Sequence, residues 1–190
     1  MKPVGSSETQ AWIRDRPGEG EDDGDAFSQR CRENQARLYS WVRRMIHREA
    51  EAIEVTQDVL IQAFRASHKY DPHRPFRPWL YKIALNTCRN HLRKAAQREC
   101  PADVSHDVGM WSTSPMTPEQ TTGATETAHM LDRHLAVLTP NDSALLLLRY
   151  CEELSYAELK QVFGLPQTVL KMRVHRALKR LRDLVDGEGQ

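Results

Sequence analysis

The stretch FRPWLYKIALNTCRNHLRK, residues 76–94, decides the fold of this chain. Its apolar residues recur at helical spacing and predict one helix with a buried stripe: Leu80, Ile83, Ala84, Thr87 and Leu92. A second face carries long cations, carboxamides and an indole: Lys82, Asn86, Arg89 and Arg93, with Trp79 and Asn90 on its flanks. Cations bind phosphates, carboxamides hydrogen-bond to base edges, and aromatic rings stack on unpaired bases. The face is therefore either a solvated helix surface or a nucleic-acid surface, and the neighbouring segments favour the second.

Charge is unevenly distributed along the 190 residues, although the formal net charge is only +1. Residues 26–98 contain 15 Lys/Arg and 6 Asp/Glu, a net charge of +9, whereas residues 1–25 carry −4 and residues 99–130 carry −5. Residues 131–190 are nearly balanced at +1. A basic block and a mixed block separated by an acidic segment indicate separate functions, and the basic block predicts a polyanionic partner.

The four cysteines are dispersed and form no Cys-x-x-Cys pair, which favours reduced thiols and a cytoplasmic location. Cys88 and His91 have ligand-like spacing, but no second pair lies nearby, so we expect no metal site and no cofactor. No apolar run approaches the roughly 20 residues of a membrane helix, and the N-terminus has no signal-peptide pattern. The acidic, glycine-containing segment 1–25 predicts a disordered tail.

Two further helices are predicted before the stretch 76–94. One runs from Phe27 to about His47 with a basic outer side, and the next runs from about Ala50 to Ala66. The second has an outer face in which one apolar side chain lies among polar and acidic ones: Glu54, Gln57, Asp58 and Ile61. A small apolar anchor with a charged rim is typical of a protein-docking face, although isolated surface isoleucines are also common.

A turn follows at SHKYDPHRP, residues 67–75, because two prolines prevent this segment from being helical throughout. Histidines, cations and Tyr70 lie here, directly before the cationic helix. The loop is therefore either a polar connector or an element that captures an unstacked base.

The C-terminal third predicts a second small helical domain after an acidic, proline-containing linker of residues 99–125. Helices are expected at residues 127–138 and 141–150. Four consecutive leucines at 145–148 point in every direction of the second helix, so this helix is expected to be central to its domain.

The last part of the chain has the helix-turn-helix pattern. An S-x-x-E capping box at Ser155 opens a short helix, Gly164 interrupts it, and a basic helix follows from Gln167 to about Val185. The buried stripe expected in this basic helix is Leu170, Val174, Ala177, Leu178, Leu181 and Val185. In such a unit the second helix lies in the DNA major groove, and its first side chains face base edges. A basic helical hairpin that only packs remains the alternative.

Two blocks of this chain resemble the bacterial extracytoplasmic-function (ECF) sigma factors, the small two-domain sigma subunits of RNA polymerase. AIEVTQDVLIQAF, residues 52–64, together with residues 76–93 is similar to their second conserved region. Three further segments of this chain are similar to the fourth conserved region of the family: LTP at 138–140, LSYAEL at 154–159 and LPQTVLKMRVHRA at 165–177. The resemblance implies an all-α fold of two small helical domains joined by a flexible acidic linker: a tail at 1–25, region 2 at 26–98, the linker at 99–125 and region 4 at 126–186.

The resemblance also implies that the chain binds core RNA polymerase, reads the −10 and −35 promoter elements, and catalyses no reaction itself. The face with Glu54, Gln57, Asp58 and Ile61 would dock on the β′ clamp. Recognition and melting of the −10 element are implied for eleven residues: Tyr70, His73, Arg74, Phe76, Arg77, Trp79, Lys82, Asn86, Arg89, Asn90 and Arg93. Reading of the −35 element, with the domain on the β flap, is implied for eight: Gln167, Thr168, Lys171, Met172, Arg173, His175, Arg176 and Lys179. An anti-sigma factor is a common partner in the family.

The recognition helix departs from the family, because TVLKMR at 168–173 stands where Gly-Thr-Val-Lys-Ser-Arg is common. The −35 sequence preference therefore does not carry over, and Met172 offers an apolar contact such as one to a thymine methyl group. Two other functions fit part of the chain: a sigma-like decoy or adaptor that does not initiate transcription, and a stand-alone helix-turn-helix repressor. Neither needs both the docking face and the cationic face. No paired carboxylates, nucleophile–base pair or phosphate-binding glycine loop indicates an enzyme.

Overall fold

The computed structural model of this chain describes residues 21–99 and 133–188, and every helix and turn discussed below lies in these two ranges. Within these ranges six α-helices have both ends described: α1 (Glu21–Met45), α2 (Glu49–Arg65), α3 (Phe76–Glu99), α4 (Pro140–Leu146), α5 (Tyr156–Phe163) and α6 (Gln167–Glu188). Residues 133–136 are also helical, as predicted for the helix at 127–138, and the first part of that predicted helix lies outside the described residues. No strand occurs within the described ranges, which confirms the all-α prediction. By its contacts the chain divides into a unit ending at Ala36 and a larger unit beginning at Arg37.

Helix α1 begins earlier than the sequence predicted. Its first residue is Glu21, so the segment 21–25 is helical and does not belong to a disordered tail. In this first part of the helix, Ser28 Oγ donates a 2.7 Å hydrogen bond to the Gly24 carbonyl four residues back. The remaining residues of the expected tail, and the expected linker after Glu99, lie outside the described residues.

The buried face of α1 follows the predicted pattern: Phe27, Cys31, Leu38, Trp41, Val42, Met45 and Ile46 are all buried. Trp41 meets Tyr81 of α3 edge-on, with ring centroids 5.5 Å apart and planes at 65°. Edge-to-face packing of this kind adds about 0.5–1.5 kcal/mol beyond area burial. The pair is a direct contact between α1 and α3.

Helices α2 and α3 pack on each other through small and branched side chains, with Ala52, Val55, Val59 and Ala63 buried on α2. The buried stripe of α3 differs in part from the prediction. Leu80, Ala84 and Thr87 are buried as expected, but Ile83 and Leu92 are only half-buried. Tyr81, Leu85 and Cys88 are buried in addition, because packing on two sides widens the stripe beyond one helical row.

Helix α4 packs on α6 and continues into the segment Leu147–Cys151. Residues Ala144 to Leu148 across this junction are buried continuously, as the run of leucines predicted. The predicted helix 141–150 is not a regular α-helix over its whole length. It changes to a π-helix at Leu147–Cys151, and the Glu152 N–H donates to the Leu147 carbonyl five residues back. Glu153 then adopts φ +57°, a left-handed conformation that is strained for a residue with a Cβ.

The helix-turn-helix caps are formed as predicted. Ser155 and Glu158 make both bonds of the capping box at the start of α5, and Gly164 ends the helix at φ +69°. In α6, Leu170, Val174 and Ala177 are buried as predicted. Leu178 and Val185 are 38% and 50% exposed, so the predicted stripe is wrong at these two positions, and Leu181 is only half-buried. The buried residues of α6 between positions 167 and 186 all lie in its first half. None of the described helices has the length and apolar character needed to cross a lipid bilayer.

Candidate functional site

The outer face of α2 presents the four side chains that the sequence selected for docking. Glu54, Gln57, Asp58 and Ile61 are all exposed, and Ile61 is 47% accessible. Sequence reasoning missed Ile53, which is 44% exposed one turn before Gln57. Positions 53, 57 and 61 follow an i, i+4, i+8 row, so two apolar side chains flank one carboxamide with carboxylates beside them.

Hydrogen bonds and one ion pair within the loop between α2 and α3 hold it in a defined conformation. It starts with a single 3-10 turn at Ser67–Lys69, and Asp71 then accepts a 3.0 Å hydrogen bond from the His73 N–H and pairs with Arg74 at 3.3 Å. The Tyr70 hydroxyl donates to the Arg74 carbonyl at 2.8 Å. His73 and Arg74 therefore lie on a short, ordered turn and are both exposed.

An aromatic cluster joins this loop to the start of α3. The rings of Tyr70, Phe76 and Trp79 contact one another pairwise, with centroids 5.1–5.6 Å apart. Phe76 is buried beneath the other two, which are half-buried. The cluster presents ring surface and edges to solvent at the position where the sequence predicted capture of an unstacked base.

The polar face of α3 follows directly from this cluster. Lys82, Asn86, Asn90 and Arg93 are exposed along successive turns, as the spacing predicted. No acidic residue occurs in α3 before Glu99 at its end. The structure therefore assembles most of the predicted −10 residues on one continuous surface of the loop and helix.

Arg77 of α3 contacts the second group of helices. Its Nη2 lies 2.7 Å from a carboxylate oxygen of Glu152 and 2.6 Å from the Glu152 carbonyl oxygen. Glu152 is only 6% exposed. Burial, and then hydrogen bonding to this carboxylate, raise the pKa of Tyr81 on the same helix. Glu152 thus has two partners on α3. No local sequence pattern indicates this cluster, because Arg77 and Glu152 are 75 positions apart.

Arg89 of α3 also contacts the C-terminal helices. Helix α3 itself packs against α5. Its Nε donates a 2.8 Å hydrogen bond to Asn141 Oδ1, and its guanidinium lies 6.0 Å from the centroid of the Phe163 ring. Burial, followed by repulsion from Arg173, lowers the pKa of Arg89. Two of the predicted −10 residues, Arg77 and Arg89, are therefore partly covered, whereas the sequence analysis treated the whole face as open.

Helix α6 presents the predicted −35 residues with one difference. Seven of them are exposed: Gln167, Thr168, Lys171, Met172, His175, Arg176 and Lys179. Arg173 is half-buried, and its Nε and Nη2 lie 2.9 Å and 2.8 Å from Asp142 Oδ1. Arg173 therefore ties α6 to α4. Together with Arg176 and Arg180 it lines an open groove beside Leu138 and Ala177.

Two of the three cysteines in the described ranges, Cys31 and Cys88, are buried. Burial raises the pKa of Cys31 and of Cys88 to about 12, so both are held as thiols at neutral pH. Cys151 is exposed and lies 3.2 Å from the Arg44 guanidinium. Within residues 21–99 and 133–188 no group of three His, Cys, Asp or Glu side chains is placed to hold a metal ion.

Comparisons with known proteins show the family of this chain. The profile of sigma-70 region 2 matches residues 31–98, and that of sigma-70 region 4 matches residues 134–183. The ECF RNA polymerase sigma factor SigW of Bacillus subtilis is 27% identical over 172 residues, which cover 85% of this chain and 92% of SigW.

Two solved structures share the fold. CnrH, solved in complex with the cytosolic domain of CnrY, matches over 94% of each chain with a TM-score of 0.63 and 23% identity. The sigma factor RpoE, solved in complex with the anti-sigma factor NepR from Bartonella quintana, matches with a TM-score of 0.67 and 20% identity, over 85% of this chain and 97% of RpoE. The chain belongs to the sigma-70 family of RNA polymerase sigma factors, as a member of its ECF group, and directs promoter-specific initiation of transcription with core RNA polymerase.

Proposed function

We propose that the two exposed faces of the N-terminal helices have separate functions in initiation, one in polymerase docking and one in binding of the −10 element. The α2 face with Glu54, Gln57, Asp58 and Ile61 docks on the β′ clamp of core polymerase. Its support is the exposed apolar row within an acidic rim, since a small apolar anchor surrounded by charges is what a specific protein contact needs. Ile53 extends the same row and belongs to the docking face.

The loop and α3 recognise and melt the −10 element. The observation that carries this assignment is the continuous surface from the three-ring cluster to Lys82, Asn86, Asn90 and Arg93, with no carboxylate among them. An unstacked base gains stacking on Tyr70 or Trp79, which offsets a few kcal/mol of unstacking. His73, Arg74, Phe76, Arg77 and Arg89 complete this surface. The cations bind the backbone of the separated strand, and the carboxamides bind base edges.

The −35 element is read by α6. Gln167, Thr168, Lys171 and Met172 lie in its first turns and are exposed, so they reach base edges when the helix enters the major groove. His175, Arg176 and Lys179 follow on the exposed side and contact phosphates. Arg173 reaches the backbone while it remains paired with Asp142. The domain that carries α6 rests on the β flap.

The domain bounds, the location and the further partners are assigned on the same basis. Region 2 spans residues 26–98 and region 4 spans residues 126–186, with an acidic linker at 99–125 that runs toward the polymerase active site. The chain contributes binding energy and no catalytic group, so it is not an enzyme. It acts in the cytoplasm, at the nucleoid when bound to polymerase, and an anti-sigma factor controls its availability.

The docking assignment is tested by charge reversal. Asp58→Arg should weaken binding to purified core polymerase at least about tenfold, because reversal turns an attraction at the rim into repulsion. Asp183→Arg is the matched control, since Asp183 is an exposed carboxylate of α6 outside all the proposed surfaces. Normal binding by Asp58→Arg in biolayer interferometry would show that the docking face is misplaced.

The DNA assignment is tested by run-off transcription on fragmented genomic DNA with core polymerase, followed by sequencing of the transcripts. The wild-type chain should give transcripts from defined start sites. Lys82→Ala should reduce open-complex formation and lower the salt slope of promoter binding by about 0.7–0.9, whereas Lys94→Ala on the same helix should not. If the wild-type chain binds core polymerase but gives no specific transcript, the protein is a decoy or adaptor.

A further inference from the structure

An acidic side chain lies within the loop that carries several of the proposed −10 residues. Asp71 is exposed between Tyr70 and the pair His73 and Arg74, and it has no role in the functions proposed above. A carboxylate repels the phosphates that the neighbouring cations attract, so its charge alone weakens DNA binding at this position. The benefit of Asp71 to this loop therefore comes from something other than a contact with DNA.

The contacts described for Asp71 close a turn of four residues inside the loop. Its Oδ1 accepts a 3.0 Å hydrogen bond from the His73 N–H, and its carbonyl accepts a 3.0 Å bond from the Arg74 N–H. Aspartate at the first position and proline at the second, here Pro72, are both favoured in such turns. The Oδ2 atom lies 3.3 Å from Arg74 Nε. The turn is therefore held by side-chain and main-chain bonds together.

This turn also carries the acceptor for the Tyr70 hydroxyl. The hydroxyl donates a 2.8 Å hydrogen bond to the Arg74 carbonyl, and the Tyr70 ring contacts the Trp79 ring with centroids 5.1 Å apart. The Arg74 carbonyl can accept this bond only while residues 71–74 hold the turn. A hydrogen bond made by Asp71 is thereby linked to the position of a ring on which an unstacked base would stack.

We propose that Asp71 is a positioning residue of the −10 loop, and that its Oδ1, bonded to the His73 N–H, keeps Tyr70 placed for capture of an unstacked base. The inference rests on the proposed function of this loop in binding the −10 element. The hydrogen bond is responsible and the ion pair is not, because the Asp71 and Arg74 side chains are 46% and 74% exposed and water screens their attraction. The acceptor oxygen is required, whereas the negative charge is not.

Two substitutions of Asp71 separate the oxygen from the charge. Asp71→Asn keeps a side-chain oxygen that can accept from the His73 N–H, whereas Asp71→Ala has none, and both lack the charge. Each full chain is bound to core polymerase. The probe is the fluorescein-labelled non-template strand of a promoter found by run-off transcription, and anisotropy measures its affinity. Loss of one hydrogen bond lowers the fraction of loops in the binding conformation, so Asp71→Ala should bind about fivefold more weakly than Asp71→Asn.

Tyr70→Phe tests the second link, because it keeps the ring and removes the hydroxyl that bonds the Arg74 carbonyl. It should weaken binding of the same strand by a similar factor. The double variant with Asp71→Ala should bind about as weakly as either single variant, because both changes release the same ring. Tyr70→Phe decides the question if Asp71→Ala lacks the circular dichroism spectrum of a folded chain, and wild-type affinity of Tyr70→Phe would then overturn the positioning role.

Amide hydrogen exchange of the free chains, read by mass spectrometry, measures the turn without DNA. Exchange in residues 71–76 should be faster in Asp71→Ala than in Asp71→Asn, with exchange in α2 unchanged. Equal affinity of Asp71→Ala and Asp71→Asn for the strand, or faster exchange without weaker binding, would overturn the positioning role and leave the proposed function standing. Failure of the wild type to give specific transcripts would instead overturn the proposed function, and this inference with it.

Discussion

The pair Arg173–Asp142 connects the proposed recognition helix to α4, and its strength follows from its surroundings. Both side chains are about a quarter exposed, at 26% and 25%, and the Asp142 Oδ2 also accepts a 2.8 Å hydrogen bond from Thr139. Fully exposed pairs contribute about 0–1 kcal/mol, whereas breaking a buried pair costs about 3–5 kcal/mol. We therefore expect a coupling free energy of about 1.5 kcal/mol between Arg173 and Asp142.

A double-mutant cycle measures this coupling. Asp142→Ala, Arg173→Ala and the double variant are compared with the wild type by urea unfolding of the full chain, followed by far-UV circular dichroism. In thermal melts of the same chains, Asp142→Ala alone should lower the melting temperature by about 3–6 °C, because it also leaves Arg173 unpaired beside Arg89. The pair Arg48–Glu51, in which the arginine side chain is 72% exposed, is the control and should couple by less than about 0.5 kcal/mol.

A coupling of less than about 0.3 kcal/mol between Arg173 and Asp142 would refute this reasoning, since independent sites are additive within that range. In that case Arg173 would not hold α6 on α4. It would then be as free for DNA as its exposed neighbour Arg176.

Two further predictions concern stability. Glu153→Gly should raise the free energy of unfolding by about 0.5–1 kcal/mol, because glycine removes a left-handed strain of about 1–2 kcal/mol and loses part of this gain to the greater entropy of the unfolded chain. Thermal melts measure the change. Glu153→Ala keeps the Cβ, so a stabilisation by this control would contradict the strain argument. Burial alone would raise the pKa of Glu51, but hydrogen bonds from His91 and Arg48 outweigh it and hold that pKa below its usual value. Glu51 therefore adds stability above pH of about 4.3, which is lost as the pH falls through its folded-state pKa. Glu51→Gln should thus destabilise the chain in urea at pH 7 but hardly at pH 3, and an equal loss at both values would exclude an ionic contribution.

The local features of this protein were predictable from its sequence. Helical periodicity located α2 and α3, and the S-x-x-E motif at Ser155 and the glycine at 164 located the helix-turn-helix, because periodicity and caps depend only on residues within about one turn of each other. The docking face and the exposed part of the cationic face followed for the same reason. Their roles in binding remain predictions.

Only the tertiary structure decided which of these surfaces stay open. Three features depend on partners far apart in the chain: the exposure of Leu178 and Val185, the π-helix before Glu152, and the contacts of Arg77 and Arg89 with the C-terminal helices. A cation on a helix face has the same sequence pattern whether it faces solvent or a carboxylate 75 residues away. Its partner is set by how the helices pack, and that packing is not encoded in the period of any one helix.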